Sequence, residues 1–278
     1  MEKNRDFHFT DKDFSRIQGL VSEHTGISLS DAKKDMVYGR LSRRLRALNI
    51  EKFQDYCSLL EDEHEDELIN FTNAITTNLT SFFREPHHFE YLAKTVIPAL
   101  AKKNAHTKKI RIWSAGCSTG EEPYSIAMTM LENMSGLHGW DIKILATDLD
   151  SNVVATASAG IYTHERVNGI TKARLSKWFK KGSGEHSEKV RVANDLKKLI
   201  TFKQLNLMHE WPMQGPFDII FCRNVVIYFD KPTQKVLFDR YYDLMAESGH
   251  LFIGHSESLY RVSDKFSLIG NTMYQKKA

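Results

Sequence analysis

The residues best suited to chemistry lie in Ala115–Gly120, a run of small side chains with the sequence A-G-C-S-T-G. The run follows the short apolar segment Ile110–Trp113 and precedes a helical pattern that begins at Glu121. Pro123 falls in the first turn of that helix, where a missing N–H is tolerated. A strand, a small-residue turn and a helix start form the unit that holds nucleotide-like ligands at a helix N-terminus. Small side chains let the backbone approach such a ligand closely.

The same run has other interpretations. It matches G-x-S-x-G, the nucleophile elbow of α/β hydrolases, with Ser118 as nucleophile, Asp218 as acid and His255 as base in the expected chain order. It also matches a relaxed G-x-G-x-x-G cofactor loop, and a tight turn without a ligand has the same pattern. Against the hydrolase, no HGGG-type oxyanion loop precedes the run. Asp218 also stands at the start of its apolar strand, away from the catalytic edge.

Composition restricts the class of protein. The 278 residues suit one large or two ordinary domains, and 41% hydrophobic with 26% charged residues is typical of a soluble globular chain. No apolar run approaches the roughly 20 residues of a membrane span, and the N-terminus is too charged for a signal peptide. Three isolated cysteines indicate reduced thiols in the cytoplasm and argue against a zinc site or a disulfide framework. We therefore predict a cytoplasmic protein with no metal, and the net charge of +3 does not indicate nucleic-acid binding.

Periodicity divides the chain into three parts. The apolar periodicity of residues 1–75 predicts an N-terminal helical domain, and that of residues 76–108 predicts a linker and a connecting helix. Residues 109–278 alternate between strand and helix patterns, as a parallel sheet requires. Within this third part, residues from about 160 to 206 interrupt the alternation and predict a small inserted β-subdomain.

Local signals mark the ends of several elements. Thr10 can cap the first helix, and Gly26 can end it. Val190–Val192 alternates like an edge strand of the inserted subdomain, and an exposed edge is a template for peptide addition. Gly270 and Asn271 form a two-residue hairpin signal, so an antiparallel hairpin should close the main sheet.

Polar residues follow several predicted strands. Asp148 follows the second strand, Asn206 the third, and Arg223 and Asn224 the central apolar strand. Because the carboxyl ends of parallel strands form the ligand-binding edge of a sheet, we expect these side chains to line one crevice. An acid at the tip of the second strand can take both ribose hydroxyls of a nucleoside, a role that we assign to Asp148, and Asp150 can cap the following helix.

Arginines mark two further places. Arg84 follows a polar loop at the domain junction. There it could form bidentate hydrogen bonds to a carboxylate-bearing ligand or a surface ion pair. The second predicted helix carries a basic ridge beside its apolar stripe, which is either a solvated face or a docking surface for an acidic partner. The ridge consists of Arg40, Arg43, Arg44 and Arg46.

Five segments together carry a resemblance to a known family. They are similar to the chemotaxis receptor methyltransferases, the protein-glutamate O-methyltransferases of the CheR type, and the likeness runs from the N-terminal helices to the terminal hairpin. The segments are NLTSFFRE (Asn78–Glu85), SAGCSTGEEPYSIAM (Ser114–Met128), ATDLD (Ala146–Asp150), FCRNVVIYFD (Phe221–Asp230) and GHSES (Gly254–Ser258).

The resemblance implies a fold and a cofactor. The fold is α/β, with a Rossmann-like S-adenosylmethionine-dependent methyltransferase sheet that ends in an antiparallel hairpin. A small antiparallel β-subdomain is inserted in it, and an all-α domain precedes it. The cofactor is S-adenosyl-L-methionine and the product is S-adenosyl-L-homocysteine. The activity is methyl transfer to receptor glutamate carboxylates, which serves sensory adaptation.

The resemblance also implies roles for residues that match the family motifs. Arg84 and Tyr228 match the positions nearest the transferred methyl group. In the inserted subdomain, Lys181 stands where members that bind a receptor's C-terminal tail often carry arginine, and lysine cannot form the same bidentate fork. The other tail-binding matches are Gly182, Gly184 and Arg191. The cofactor-binding matches are Asn78, Thr80, Arg84, Glu122, Asp148, Asn206, Leu207, Arg223 and Asn224.

The implied partners are the cytoplasmic helical bundle of membrane chemoreceptors and their C-terminal tail peptide. We expect the arginine ridge of the second helix to contact that bundle. We expect no nucleic-acid partner, no insertion into the membrane and a monomeric enzyme.

Overall fold

The computed structural model describes residues 6–62, 64–134 and 138–277. A helical N-terminal region is followed by a region in which strands and helices alternate. A π-helical turn, Leu92–Val96, joins α5 to α6. The helices are α1 (Asp11–Thr25), α2 (Lys34–Leu48), α3 (Phe53–Glu61), α4 (Glu65–Ile75), α5 (Pro86–Tyr91), α6 (Ile97–Lys103), α7 (Glu121–Asn133), α8 (Ser151–Ala159), α9 (Lys172–Trp178), α10 (Asn194–Lys197) and α11 (Lys231–Leu244). The strands are β1 (Lys109–Ala115), β2 (Asp141–Asp148), β3 (Ile161–Thr163), β4 (Phe179–Lys181), β5 (Lys189–Val192), β6 (Ile200–Gln204), β7 (Phe217–Cys222), β8 (Met245–Ile253), β9 (Phe266–Gly270) and β10 (Met273–Lys276).

The first four helices enclose a hydrophobic core of their own. Val37, Leu41 and Leu45 of the apolar stripe of α2 are fully buried in it, together with α1 and α3 side chains, whereas Leu48 at the end of α2 is exposed. Thr10 caps α1 through a capping box with Asp13, as its position predicted. Gly26 ends α1 in the left-handed conformation with φ of 72°, which also confirms the prediction.

The main sheet has seven strands in the order β6-β2-β1-β7-β8-β10-β9. The first five run parallel, and β10 pairs antiparallel with both β8 and β9. Every residue of β7 is buried, as expected for a central strand covered on both faces. Separate hydrophobic cores cover the two faces of the sheet. The predicted α/β architecture with a terminal antiparallel hairpin is confirmed. The turn lies one residue later than predicted, at Asn271 and Thr272, because Gly270 is still part of β9 and pairs with Met273.

A second sheet of three antiparallel strands, in the order β3-β5-β4, lies within the inserted segment. The prediction that Val190–Val192 forms an edge strand was wrong, because β5 is the central strand and pairs with β3 on one side and β4 on the other. Val190 and Val192 face the interior while Arg191 is exposed, so the alternation reports a half-buried face and not an edge. The following strand, β6, belongs to the main sheet.

The β8 strand begins earlier than its apolar pattern suggests. The sequence predicts a strand from His250, whereas β8 begins at Met245. In its pairing with β7, Met245 lies opposite Phe217 and His250 lies opposite Ile219, so residues 246–249 form a bulge in which no apolar alternation is expected.

Polar contacts fix the helical region against the carboxyl edge of the main sheet. Asn73 on α4 donates to Ser151 Oγ (2.9 Å) and accepts from Ser151 N–H (3.1 Å) at the start of α8. The Ser28 N–H donates to the Tyr228 carbonyl oxygen at 2.8 Å. Among the described helices, none has the length and apolar character needed to cross a membrane.

Candidate functional site

A cavity of about 470 Å³ lies at the carboxyl edge of the parallel strands, between the sheet and the helical region. This size is within the range of small-molecule sites. All the residues predicted to bind cofactor or to act in catalysis line this one cavity. They are Asn78, Thr80, Arg84, Glu122, Asp148, Asn206, Leu207, Arg223, Asn224 and Tyr228.

The small-residue loop joins β1 to α7, which starts at Glu121 as predicted. Gly116 has φ of 96°, and a Cβ atom there would lie 2.3 Å from Val225 Cγ2. A Cβ atom on Gly120, which has φ of 98°, would lie 2.8 Å from Ala157 Cβ. Both glycines are therefore required by backbone conformation and by packing, and Gly116 also leaves the cavity wall without a side chain.

Asp148 holds this loop from the end of β2. One carboxylate oxygen accepts the Ser118 N–H at 2.7 Å, and the other accepts the Asp150 N–H at 3.0 Å. Burial raises the pKa of Asp148 to about 6, although these hydrogen bonds oppose the rise. Each oxygen keeps a further lone pair with which to accept from a ligand hydroxyl.

A buried arginine joins two carboxylates at the inner wall of the cavity. Arg223 Nη1 donates to Glu122 Oε2 at 3.0 Å, and Nη2 lies 3.2 Å from Glu85 Oε2. The same guanidinium donates to the Arg84 carbonyl oxygen. Burial raises the pKa of Glu85, but Arg223 and His255 outweigh it, so the pKa is lowered to about 2. Burial raises the pKa of Glu122 in spite of its pairing with Arg223.

Several non-glycine residues around the cavity have a left-handed backbone. Glu85, Ser118 and Asn224 have φ values of 58°, 48° and 59°. Such conformations cost free energy and persist where surrounding contacts over-determine them. Here those contacts are the hydrogen bonds to Asp148 and the ion pair between Glu85 and Arg223.

Comparison with known proteins decides the family. Residues 78–275 match the family described as CheR methyltransferase, SAM binding domain, and residues 12–76 match CheR methyltransferase, all-alpha domain. The chain is 44% identical over 268 residues to the chemotaxis protein methyltransferase of Escherichia coli (strain K12), covering 95% of this chain and 91% of that relative. It is 42% identical to chemotaxis protein methyltransferase 2 of Pseudomonas aeruginosa (strain PAO1), with coverage of 98% and 95%. The chain belongs to the CheR methyltransferase family.

This CheR-family enzyme is a chemotaxis methyltransferase that uses S-adenosylmethionine. The cavity fits that cofactor by the chemistry of its walls. Gly116 presents bare backbone, Asp148 presents acceptors suited to a ribose diol, and Leu207 adds an apolar surface. The bound cofactor supplies an electrophilic methyl group on a positively charged sulfur.

The hydrolase alternative has no support in the structure. Asp218 accepts from the Arg111 N–H at 2.9 Å and from Asn104 Nδ2 at 3.0 Å, at the opposite end of the strands from the cavity. His255 Nδ1 lies 2.9 Å from Glu85 Oε1. Ser118 donates to the Asn78 carbonyl oxygen, so the three residues of the predicted triad are not hydrogen-bonded to one another.

Some residues around the cavity have no distinguishing sequence signal. Glu257 is buried in the GHSES segment and accepts from the N–H groups of Asn224 (2.9 Å), Ile227 (3.3 Å) and Gly254 (2.5 Å). It thereby holds the loop that carries Arg223 and Asn224, although a lone glutamate is normally read as a surface residue. The connection between α1 and α2 also lines the cavity with Ile27, Ser28, Leu29, Ser30 and Lys33, and the first turn of α2 adds Met36.

The arginine ridge on α2 is largely engaged within the protein. Arg40 donates to the carbonyl oxygens of Ile75 (2.7 Å) and Thr76 (2.6 Å) at the end of α4. Arg44 donates to buried Glu67 at 3.0 Å, and Arg46 pairs with Asp6. Arg43 is exposed and has no ion-pair partner in residues 6–62, 64–134 and 138–277.

The four residues predicted to bind a receptor tail lie in or beside the three-stranded sheet. A Cβ atom on Gly182 would lie 2.0 Å from the carbonyl oxygen of His186, so only glycine fits this turn. Arg191 is exposed and lies opposite Lys180 in the strand register. The four residues are Lys181, Gly182, Gly184 and Arg191.

The three-stranded sheet also contacts the small-residue loop. Tyr162 on β3 donates to the Thr119 carbonyl oxygen at 2.7 Å, and Arg166 donates to Thr119 Oγ1 at 2.8 Å. Arg166 further pairs with buried Glu121 at the start of α7. The inserted segment therefore supports one wall of the site in addition to presenting its own surface.

Glu85, His87 and His88 bring potential metal-ligand atoms within 4.8 Å of one another. Burial lowers the pKa of His88 to about 3, so this imidazole is neutral. The Arg223 guanidinium lies 3.2 Å from Glu85 Oε2 and already supplies positive charge there. We interpret the cluster as part of the Arg223 network, and the absence of a metal in this protein stays a prediction.

Replacing Arg223 by methionine should destabilise the protein by about 3–5 kcal/mol, because Glu85 and Glu122 would lose their buried partner. Denaturant unfolding measures this change. Arg16→Met is the matched control, since Arg16 pairs with Glu61 at the surface, where the loss should be at most about 1 kcal/mol. Equal losses in the two variants would contradict this account of the buried network.

Proposed function

We propose that this enzyme transfers the methyl group of S-adenosylmethionine to glutamate side chains of methyl-accepting chemotaxis receptors. The products are glutamate methyl esters and S-adenosylhomocysteine. The observation that supports this best is the convergence of Arg84 and Tyr228 on the cavity that also contains the matched cofactor residues. The names of the relatives, chemotaxis protein methyltransferases, agree with it.

The reaction needs alignment more than proton transfer. An exposed glutamate has a pKa of about 4.3 and is already ionised at neutral pH, so no general base is required. A lone pair of the carboxylate forms the new O–C bond while the C–S bond breaks and its electron pair stays on sulfur. The protein must hold the oxygen about 3–3.5 Å from the methyl carbon and exclude water.

Arg84 and Tyr228 are the residues that we assign to this alignment. Arg84 Nη1 donates to the Leu79 carbonyl oxygen at 2.8 Å, which holds the guanidinium beside the polar loop and leaves its other N–H groups for a carboxylate. Tyr228 is half-buried, and its main chain is fixed by the hydrogen bond from Ser28. This hydrogen bond restrains the main chain at Tyr228 and so favours a constant position of the phenol hydroxyl group.

For the remaining site residues we propose the roles that the family motifs imply. Asp148 takes the ribose hydroxyls, and Asn78 contacts the methionine end of the cofactor. The ridge on α2 contacts the receptor bundle mainly through Arg43, since its other arginines are engaged internally. The receptor's C-terminal tail peptide binds at Lys181, Gly182, Gly184 and Arg191, and the exposed Lys180 lies opposite Arg191 in the strand register. We also propose that the enzyme acts in the cytoplasm as a monomer.

Labelled-methyl transfer to receptor-rich membranes tests the activity and the two alignment residues. Arg84→Ala and Tyr228→Phe should each lower kcat about 10²-fold, because alignment or transition-state hydrogen bonding is lost. Tyr260→Phe is the control, since Tyr260 is 72% exposed and lies outside the cavity lining. Full turnover by Tyr228→Phe would remove the phenol from the reaction, and no labelling by the parent enzyme would refute the proposed substrate.

The pKa of Asp148 predicts how cofactor affinity depends on pH. Ribose hydroxyls donate to the ionised carboxylate, so protonation of Asp148 weakens binding. The Kd for S-adenosylhomocysteine, measured by calorimetry, should therefore rise as pH falls through about 6. Asp148→Asn should bind more weakly at pH 8 and lose the pH dependence. A parent Kd that is constant from pH 5 to pH 8 would argue against ribose binding by Asp148.

Docking through Arg43 should depend on salt. Arg43→Ala should raise the KM for receptor while the KM for S-adenosylmethionine stays constant, and it should weaken the salt dependence of methylation. Lys102→Ala, at an exposed cation on α6, is the control. Parent activity that does not change between low salt and about 0.5 M would count against an electrostatic docking surface.

A further inference from the structure

Asp150 is a buried carboxylate between two cofactor-site residues, and its exposed fraction is only 4%. One oxygen, Oδ1, accepts the N–H groups of Asn152 (2.9 Å) and Val153 (3.4 Å) and so caps α8. The other oxygen, Oδ2, accepts from Thr76 Oγ1 and from Asn78 Nδ2, both at 2.8 Å. The two oxygens therefore have separate functions, and only the first is explained by helix capping.

The second oxygen fixes the orientation of the Asn78 amide. Because Asn78 Nδ2 donates to Asp150, the amide oxygen must point the other way. In the described part of the chain, Asn78 Oδ1 takes part in no hydrogen bond, and Asn78 lines the cavity. An acceptor presented to the cavity suits the α-ammonium group of S-adenosylmethionine, whereas an inverted amide would present N–H donors to a cation.

The loop that carries Asn78 is held on its other side by α2. Arg40 donates to the carbonyl oxygens of Ile75 and Thr76, and its Nη2 donates to Thr77 Oγ1 at 3.2 Å. With the backbone held by Arg40, the Asn78 amide is oriented by its hydrogen bond to Asp150 and by a longer one, of 3.4 Å, to Thr76 Oγ1, which itself donates to Asp150. The main-chain N–H of Asp150 also donates to Asp148, so Asp150 contacts both the methionine-end and the ribose-end residues of the site.

We infer that Asp150 is a positioning residue for cofactor binding, which acts through Asn78 by fixing its amide with the oxygen toward the cofactor's ammonium group. The inference concerns cofactor binding alone and does not depend on the protein substrate.

Asp150→Ser tests the inference. Serine caps a helix about as well as aspartate, but its single short hydroxyl cannot also reach Asn78. The Kd for S-adenosylhomocysteine, measured by calorimetry, should rise about tenfold. Asp230→Ser is the matched control, because Asp230 caps α11 through the Thr233 N–H and lies outside the cavity lining. That variant should bind as the parent does.

The Asn78→Ala background separates positioning from a general structural effect. If Asp150 acts through Asn78, adding Asp150→Ser to Asn78→Ala should change the Kd by less than about twofold. A structural role would lower affinity equally in both backgrounds, and that result would overturn the inference. An unchanged Kd in the single variant Asp150→Ser would overturn it as well. Calorimetry uses no receptor, so either outcome leaves the proposed methylation of receptors to its own test.

Discussion

One guanidinium, that of Arg223, organises the inner wall of the site. It stands at the end of the most deeply buried strand and joins Glu122 at the start of α7 to Glu85 at the start of α5. A buried ion pair of this kind contributes little net stability compared with well-packed apolar residues, but the loss of one partner is costly. Its role here is to fix positions, because the same guanidinium donates a hydrogen bond to the Arg84 carbonyl oxygen and thereby restrains the Arg84 backbone. The position of Arg84, which we assign to the alignment of the reactants, thus depends on the buried ion pairs of Arg223.

Carboxylates likewise fix the backbone of the loops that form the other walls of the cavity. Asp148 accepts the Ser118 N–H of the small-residue loop, and Glu257 accepts the N–H groups of Asn224, Ile227 and Gly254. Each of these loops contains a residue in the left-handed conformation, which is unfavourable alone, and each is held by carboxyl oxygens that accept its N–H groups. The cavity wall therefore consists of irregular backbone held by acidic and basic side chains, and the regular strands and helices position these loops.

Much of this site could be predicted because parallel strands bring their carboxyl ends together. Asp148, Asn206 and Arg223 follow different strands, and the topology alone places them at one edge. Glu257 could not be identified in this way, since its role depends on three backbone groups whose positions are set only by the folded loops. The arginines of α2 were visible as a ridge, but periodicity cannot reveal that Arg40 and Arg44 meet acceptors on α4. The inserted sheet shows a related limit: alternation of buried and exposed residues is common to central and edge strands, so pairing partners must be known to distinguish them.

The ion pairs of Arg223 connect distant parts of the chain. Its hydrogen bonds to Glu122 and to Arg84 span 101 and 139 residues respectively. Closing such long loops is slow compared with local helix formation, so the helical region can fold early whereas the cavity must wait for the central strand β7 to be synthesised. A nascent chain that stops before residue 223 would contain the small-residue loop and the N-terminal helices. It would still lack the assembled cavity that binds a nucleoside.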